Sequence, residues 1–296
     1  MAEPPNFDDR DGWIWFDGKL VPWREASVHV LTHGLHYASS VFEGQRAYGG
    51  TIFKLTEHST RLRKSAELLG FEIPWSVDEI NAACIEVLEA SGMKDAYMRP
   101  VAWRGSEQMG VSPKGTKPHL AIACWHWGKY FDEAKAAKGI RLDMAPWRRP
   151  APYTAPVHSK AAGLYMIATM SKAQADARGY DDALMLDWRG QVAEATGANA
   201  FFVREGNIYT PTPDCFLDGI TRRTVIDLAR QRGIEVIEKA VWPEELESFE
   251  QFFLTGSAAE VTAVQSAGPW SFEVGDLTRQ LQADYDALVN GRPIDR

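Results

Sequence analysis

Lys160 lies in a setting that is unusual for a charged amine. It stands in APVHSKAAGLYMIATM, where Pro156 ends an irregular stretch and a segment of small and apolar residues follows the lysine directly. Most lysines are solvated at the surface, so these apolar surroundings favour another role. Desolvation favours a neutral amine, which can form a Schiff base with an aldehyde. The sequence therefore makes Lys160 a candidate for covalent catalysis with a carbonyl cofactor.

Two glycine-hydroxyl corners are candidates for phosphate binding. The first, Gly219-Ile220-Thr221, precedes the predicted helix RRTVIDLARQRG, and the second, TGSAA at 255–259, follows the predicted strand QFFL. Backbone N–H groups and the dipole at a helix N-terminus favour an anion, and a hydroxyl adds a hydrogen bond. Alternatively, Thr221 only caps its helix. Arg61, in the middle of a predicted helix, could supply a guanidinium, although alone it would indicate a solvated or salt-bridged face.

Glu194 is the third candidate. It stands in GQVAEATGANAFF between Ala193 and Ala195, in an alternating pattern typical of a strand. Half-exposed strands often carry such a glutamate without a function. The functional interpretation is that the carboxylate keeps a pyridine nitrogen protonated, so that the ring can accept the electrons released when a substrate Cα loses its proton.

Several segments resemble, in order and spacing, the class IV pyridoxal-phosphate-dependent aminotransferases of fold type IV. These segments are HSKAAGLY, VAEATGANAFF, LDGITRRTV and LTGSAAEVT. In addition, VHVLTHGLHYASSVFEGQRAY, EHSTRLRKSA, AYMRP, MGVSP and WHWGKYF resemble blocks of bacterial branched-chain amino acid aminotransferases, so the likeness covers residues 13–275. The chain departs from the pattern at Ser257, where threonine is usual, and around Ala198, where relatives often have a second acidic residue before the asparagine.

The resemblance implies pyridoxal 5′-phosphate as the cofactor and Lys160 as the catalytic residue, which carries the cofactor and moves a proton between the substrate Cα and C4′. Tyr165 would hydrogen-bond the cofactor O3′, Glu194 would bind the ring nitrogen, and Leu217 would pack on the ring face. The phosphate would be held by Arg61, Ile220, Thr221 and Ser257.

The implied substrate site combines a polar pair with apolar walls. The α-carboxylate would be bound by Tyr97, Arg99 and the backbone of Ala258 and Ala259. Alternate positions on one strand point to the same face, so Tyr97 and Arg99 together offer a hydroxyl and a cation. If Arg99 instead forms a structural ion pair, the substrate assignment weakens and the aminotransferase assignment stands. The side-chain pocket would be shaped by Tyr37, Phe42, Gly44, Val111 and Tyr130.

The expected reaction moves the amino group of L-leucine, L-isoleucine or L-valine to 2-oxoglutarate, giving branched-chain 2-oxo acids and L-glutamate. Enzymes of the same fold that act on D-amino acids or (R)-amines, or as a lyase on aminodeoxychorismate, are alternatives. A different class, a metal-dependent hydrolase, would use His29, His33 and His36, whose spacing places them on one face if they are helical. However, the preceding ASVHV favours a strand, and HExxH does not occur. A non-catalytic binding module would leave Lys160, Glu194 and the two corners without a joint explanation.

Composition limits the partners and the compartment. The net charge of −8 argues against binding to nucleic acid or anionic membranes, so we expect small-molecule amino acids and 2-oxo acids as partners. No apolar run reaches the length of a membrane helix, and the acidic N-terminus is not a signal peptide. Three dispersed cysteines without CxxC spacing indicate free thiols and a cytoplasmic protein. The resemblance also implies a homodimer or higher homo-oligomer, because a neighbouring subunit supplies part of the pocket.

The predicted fold class is α+β, with two domains and a fold-type IV aminotransferase-like architecture. A smaller N-terminal α/β domain (1–126) and a linker (127–138) precede a larger C-terminal cofactor-binding domain (139–296), with the cofactor at the interface. Asp17-Gly18 predicts a hairpin within residues 13–23. The predicted strands include 95–103 and 119–127, and the predicted helices are 55–70, 77–93, about 161–178 and 222–232.

Overall fold

The computed structural model describes residues 6–128 and 137–294. The chain forms two compact units, one of residues 1–128 with 159–163 and the other of residues 129–158 with 164–296. Residues 129–136 of the predicted linker lie outside the described residues. The domain boundaries from the sequence stay a prediction, and the short segment that carries Lys160 belongs to the first unit.

An antiparallel seven-stranded sheet forms the first unit, in the order β2-β1-β7-β6-β4-β5 with β3 also paired to β6. The predicted hairpin is confirmed, since Asp17 and Gly18 adopt φ values of 48° and 99° between β1 and β2. The strands are β1 (Trp13–Phe16), β2 (Lys19–Pro22), β3 (Ser40–Phe42), β4 (Gln45–Tyr48), β5 (Thr51–Ile52), β6 (Ala96–Arg104) and β7 (Pro118–Trp125).

Three α-helices accompany this sheet: α1 (His33–Tyr37), α2 (Leu55–Leu68) and α3 (Val77–Ser91). The predicted helices α2 and α3 are confirmed. A reciprocal capping box between Ser76 and Glu79 starts α3, and Gly92 ends it with φ 66°. The apolar faces of both helices join the strands in one core, which includes Leu62, Ala66, Ile80, Cys84 and Val87.

Pro100 lies inside the central strand β6, where a residue without an N–H group is unusual. The strand beside it is interrupted at this level, because β3 ends at Phe42 and β4 begins at Gln45. The N–H group of Glu43 donates to the Pro100 carbonyl oxygen at 2.8 Å. The missing donor of Pro100 therefore coincides with a gap in the neighbouring strand, and that gap contains two residues of the candidate site, Glu43 and Gly44.

The second unit contains a nine-stranded sheet, six strands of which close into a ring. Around the ring run β8, β15, β14, β11, β10 and β9, and the pairing of Glu194 with Asn199 joins β10 to β11. The pairings of β8 with β9 and with β15 are parallel. The strands are β8 (Ile140–Met144), β9 (Asp182–Leu186), β10 (Val192–Ala195), β11 (Asn199–Arg204), β12 (Asn207–Pro211), β13 (Val236–Lys239), β14 (Gln251–Gly256), β15 (Glu260–Ala267) and β16 (Trp270–Ser271).

Helices with described bounds in the second unit include α4 (Tyr165–Ala177), α5 (Ile220–Gln231) and α6 (Asp276–Val289). Two predicted starts were wrong. Residues Ala162–Leu164 form a 3-10 turn before α4, and α5 begins two residues earlier than expected, with Gly219 as its N-cap. Thr221 therefore lies in the first turn, and the interpretation of Thr221 as the cap is also wrong. Among the described residues, no helix combines the length and apolar character needed to cross a bilayer.

Candidate active site

The backbone of Lys160 is fixed to β3 and α2. Its carbonyl oxygen accepts a hydrogen bond from the Phe42 N–H group at 3.2 Å, and its own N–H group donates to Ser65 Oγ at 2.9 Å. Ser159 Oγ also donates to the Ser65 carbonyl oxygen, at 2.8 Å. The lysine segment thus adds to the edge of a strand and is tied to a helix, so its backbone has a defined position.

Two cationic side chains flank the ring of Phe42. Lys160 Nζ lies 4.9 Å from the ring centroid and the Arg99 guanidinium carbon lies 4.7 Å from it. Arg99 Nη2 donates to the Tyr97 hydroxyl at 3.0 Å, which confirms that these two residues share a face. Arg99 Nε is buried without a hydrogen-bond partner, and no ion pair with an acidic side chain of the described ranges accounts for it. The cluster therefore has an unsatisfied donor suited to a carboxylate.

Gly44 permits the position of Tyr97. A Cβ atom at residue 44 would lie 2.1 Å from the Tyr97 hydroxyl oxygen. The tyrosine ring has little freedom to retreat, because its centroid is 5.1 Å from that of Trp125 and 5.3 Å from that of Trp127. Only glycine allows this close approach of backbone and hydroxyl.

Arg61 forms an ion pair, which agrees with the salt-bridged alternative, but its buried partner Glu43 was not foreseen. Its Nε and Nη2 atoms donate to the two carboxylate oxygens of Glu43 at 2.7 and 2.8 Å, and His58 Nδ1 lies 2.7 Å from Glu43 Oε2. Burial raises the pKa of Glu43, but the charge of Arg61 and the hydrogen bonds from Arg61 and His58 outweigh it and hold that pKa well below its usual range. Burial, together with the charges of Arg61 and Lys160, lowers the pKa of His58 despite the opposing effect of Glu43.

The remaining predicted pocket residues of the first unit are less enclosed. Val111 is 81% exposed in the connection between β6 and β7, and Tyr37 is 40% exposed at the end of α1. The Tyr37 ring packs on His33, with centroids 4.7 Å apart. Tyr130 lies outside the described residues. If Val111 and Tyr37 line a pocket, residues other than their present neighbours must cover their exposed side chains.

The histidine arrangement of the hydrolase alternative is not present. Helix α1 begins at His33, so His29 lies outside it. The rings have separate backbone partners: His29 Nδ1 accepts from the Leu31 N–H group, His33 Nε2 contacts the Gly110 carbonyl oxygen, and His36 Nε2 contacts the Val30 carbonyl oxygen. Within residues 6–128 and 137–294, the side chains close enough to hold a metal are Asp187, Asp214 and Cys215, and Arg189 already bridges the two carboxylates.

In the second unit, Asn199 links several of the predicted cofactor-binding residues. Its Nδ2 atom donates to Glu194 Oε2 at 3.3 Å and to the Leu217 carbonyl oxygen at 3.0 Å. Gly219 approaches so closely that a Cβ atom there would lie 2.2 Å from Asn199 Oδ1. On its other side Glu194 is 3.4 Å from Arg149 Nε, an arginine that is 6% exposed. The paired arginine and the amide donor both stabilise the charged form of the Glu194 carboxylate.

The two glycine-hydroxyl corners have the features of an anion site. The first N–H groups of any helix have no acceptor within the helix. In α5 the N-cap is Gly219, which provides no side-chain acceptor for them. Ser257, Ala258 and Ala259 form the turn between β14 and β15. Next to this turn Thr255 is 1% exposed, and its buried hydroxyl has no hydrogen-bond partner among the described residues. Unsatisfied donors of this kind fit a phosphate group.

Comparison with known proteins agrees with this chemistry. The model of the family "Amino-transferase class IV" matches residues 40–267. A probable branched-chain-amino-acid aminotransferase of Rickettsia felis is 44% identical over 280 residues, 93% of this chain and 95% of the relative. The branched-chain-amino-acid aminotransferase of Pseudomonas aeruginosa is 40% identical over 291 residues, 96% of this chain and 95% of the relative.

A solved structure of another branched-chain amino acid aminotransferase is also similar to this chain. The branched-chain amino acid aminotransferase of Thermobaculum terrenum, in its PLP-bound holo form, is 31% identical, covers 96% of this chain and 95% of its own, and superposes with a TM-score of 0.87. The chain belongs to the class IV aminotransferases, enzymes that work with pyridoxal phosphate. Within that class, the relatives above are branched-chain-amino-acid aminotransferases. The predicted family, the fold-type IV architecture and the cofactor are thereby confirmed.

Proposed function

We propose that this protein transfers the amino group of L-leucine, L-isoleucine or L-valine to 2-oxoglutarate with pyridoxal 5′-phosphate as its cofactor. The observation that carries the proposal is the Lys160–Phe42–Arg99–Tyr97 cluster, which places an amine and a carboxylate-binding pair around one aromatic ring. The names of the relatives supply the substrate class. An amino acid with an apolar side chain matches a site that has a fixed cation and an aromatic wall.

The cofactor supplies an electron-accepting ring and an aldehyde for the amino group. Lys160 Nζ would hold the cofactor and would accept the proton that the substrate Cα releases. Glu194, supported by Arg149 and Asn199, keeps the ring nitrogen protonated. Tyr165 and Leu217 position the ring through O3′ and its face. The phosphate is bound by Arg61, Ile220, Thr221 and Ser257.

Substrate orientation depends on a polar set for the α-carboxylate and on apolar walls for the side chain. Tyr97, Arg99 and the backbone N–H groups of Ala258 and Ala259 bind the α-carboxylate, and the unsatisfied Arg99 Nε supports this role. The apolar side chain meets Phe42, and Gly44 leaves the space that the Tyr97 hydroxyl occupies. Tyr37 and Val111 would complete the pocket, and the resemblance assigns Tyr130 to it as well. The first substrate leaves as a 2-oxo acid before 2-oxoglutarate enters, so the kinetics are ping-pong.

We further propose a homodimer or higher homo-oligomer. Val30, Leu35 and Val111 are 70%, 65% and 81% exposed in the first unit, and large apolar side chains left this exposed favour cover by another chain. A second copy would also enclose Tyr37 and Val111. Light scattering after size exclusion measures the mass directly, and a monomer at working concentration would refute this part. The cytoplasm is the proposed location, because the three cysteines are free and buried.

A spectrum of the purified protein tests the proposal. An absorption band of bound cofactor should bleach with L-leucine and return with 2-oxoglutarate. Reduction with borohydride should then fix the cofactor on the peptide that contains Lys160, as measured by mass spectrometry. Lys160→Ala should abolish fixation at this peptide and transamination, whereas the matched variant Lys172→Ala, which removes a half-buried partner of Asp176, should retain both.

The substrate controls decide the subclass. Bleaching by D-alanine or a simple amine, and not by L-leucine, would retain the cofactor and refute the branched-chain assignment. Absence of a chromophore after addition of pyridoxal phosphate would refute the aminotransferase function itself.

A further inference from the structure

We propose that Glu43 and His58 are positioning residues for the phosphate end of the cofactor, acting through the guanidinium of Arg61. The inference rests on the proposed function, because it assumes that Arg61 binds the phosphate. It adds two residues that neither touch the reacting atoms nor belong to the residue set derived from the sequence. Their role is to fix the plane in which the arginine presents its donors.

The geometry of the pair restricts Arg61. Both carboxylate oxygens of Glu43 are engaged by the same edge of the guanidinium, through Nε at 2.7 Å and Nη2 at 2.8 Å. A two-point contact of this kind fixes orientation as well as distance, since the guanidinium is planar. The Glu43 side chain is itself inaccessible to solvent. Arg61 therefore cannot turn without breaking two charge-assisted hydrogen bonds in a buried environment.

His58 prevents the carboxylate from following the arginine. Its Nδ1 atom lies 2.7 Å from Glu43 Oε2, and both side chains are almost completely buried. Burial and the charges of Arg61 and Lys160 lower the pKa of His58 despite the opposing effect of Glu43, and this direction favours the neutral ring. His58 consequently donates one hydrogen bond without adding a second positive charge, and the pair of Glu43 and Arg61 stays formally neutral.

The same helix face ties this arrangement to Lys160. His58, Arg61 and Ser65 follow one another at intervals of three and four residues along α2, so they share a face. Ser65 Oγ accepts from the Lys160 N–H group at 2.9 Å. Glu43 follows Phe42, whose N–H group donates to the Lys160 carbonyl oxygen. The positions of Arg61 and Lys160 are therefore set by one rigid frame, which suits a ligand with an aldehyde at one end and a phosphate at the other.

The Glu43–Arg61 pair can affect phosphate binding in two ways, through its charge or through the orientation that it gives Arg61. These two effects predict opposite results of removing the charge of Glu43. If charge dominates, Glu43→Gln leaves Arg61 uncompensated and strengthens phosphate binding. If orientation dominates, the same change frees the guanidinium and weakens binding. Orientation should prevail, because a phosphate bound at short range depends on aligned hydrogen bonds. We expect the dissociation constant of pyridoxal phosphate to rise by about tenfold to a hundredfold.

The experiment compares pyridoxal phosphate with pyridoxal, which has no phosphate, by titration of the cofactor-free protein followed by absorbance. In Glu43→Gln, affinity for pyridoxal phosphate should fall while affinity for pyridoxal is retained, as in Arg61→Gln. The double variant should be no worse than Arg61→Gln alone. Glu67→Gln, which changes an exposed glutamate of α2 paired with Lys64, is the matched control and should leave both affinities unchanged.

Further variants cover a failure of Glu43→Gln to fold. Glu43→Asp keeps the charge and retracts the carboxylate, so it should also lose the preference for the phosphate. His58→Gln retains an N–H donor and should preserve more of this preference than His58→Phe. Unchanged or tighter binding of pyridoxal phosphate in a folded Glu43 variant overturns the proposal, as does an equal loss for both ligands. Failure of the parent protein to bind either ligand would instead refute the proposed function.

Discussion

Substitution of Gly44 by alanine tests the substrate-binding geometry most directly. The new Cβ atom would lie 2.1 Å from the Tyr97 hydroxyl oxygen, whereas real Cβ atoms essentially never approach another heavy atom below 3.0 Å. The hydroxyl must retreat by about 1 Å, a displacement that costs about a hundredfold in rate when it affects a positioned catalytic geometry. Trp125 and Trp127 flank the ring, and Arg99 Nη2 loses its 3.0 Å hydrogen bond.

Steady-state kinetics with L-leucine and 2-oxoglutarate provide the assay. We expect kcat/KM for L-leucine to fall about a hundredfold, largely through KM, while the dissociation constant of pyridoxal phosphate stays constant. The stability loss from overpacking should be about 1 to 3 kcal/mol. Gly128→Ala is the control, since a Cβ atom there meets nothing within 4 Å.

Two outcomes would contradict the reasoning. An unchanged kcat/KM in a folded Gly44→Ala protein would show that the position of the Tyr97 hydroxyl does not matter for substrate binding. In the Tyr97→Phe background, which removes the hydroxyl, Gly44→Ala should have a smaller effect. A fully additive double variant would therefore also argue against the proposed clash.

Three other perturbations follow from the site and its surroundings. Glu194→Gln removes the charge proposed to face the ring nitrogen and should lower kcat about a hundredfold or more, with Glu194→Asp retaining more activity in the same steady-state assay. Thr255→Val removes a buried hydroxyl that has no partner among the described residues. Denaturant unfolding of the cofactor-free protein should therefore show a free energy of unfolding that is higher by about 1 kcal/mol, whereas affinity for pyridoxal phosphate should fall. A loss of stability would mean that the hydroxyl is satisfied. For His119, burial lowers the pKa, but hydrogen bonds and charges of Asp17 and Glu107 outweigh it and raise that pKa. Its stabilisation is thus fully present below about pH 6.5 and is lost as pH rises through the raised pKa. The difference in Tm between the parent and His119→Gln should accordingly shrink in alkaline buffer, and a constant difference would exclude this linkage.

Sequence patterns predicted the local features of this protein well. The Asp17-Gly18 hairpin was identified because the turn needs left-handed backbone, whereas the catalytic role of Lys160 stays a prediction. The shared face of Tyr97 and Arg99 followed from strand alternation alone. These predictions succeeded because their physical causes lie within a few residues of sequence.

Residues that act through distant partners were missed. Glu43 stands in VFEGQRAY with no pattern that marks it as buried, and its partner Arg61 is 18 residues away. The spacing of His58 and Arg61 indicates a shared helix face, but not that a carboxylate meets it. Arg149 lies even farther from Glu194. The start of α5 was predicted two residues too late. Ile220 and Thr221 were interpreted as part of a turn before the helix, whereas they form its first turn.

The closed ring of strands has a consequence for synthesis of the chain. Most neighbouring strands of the ring are consecutive in the sequence. However, β8 pairs with β15, as in the register of Ile140 with Val264. An emerging chain can therefore form the β9–β10–β11 meander early. The edge of β8 that pairs with β15 stays unpaired until β15 has left the ribosome. Such an edge is a template for pairing with other chains. Nascent fragments that end before β15 should therefore need protection from aggregation, and a ribosome that pauses there prolongs this exposure.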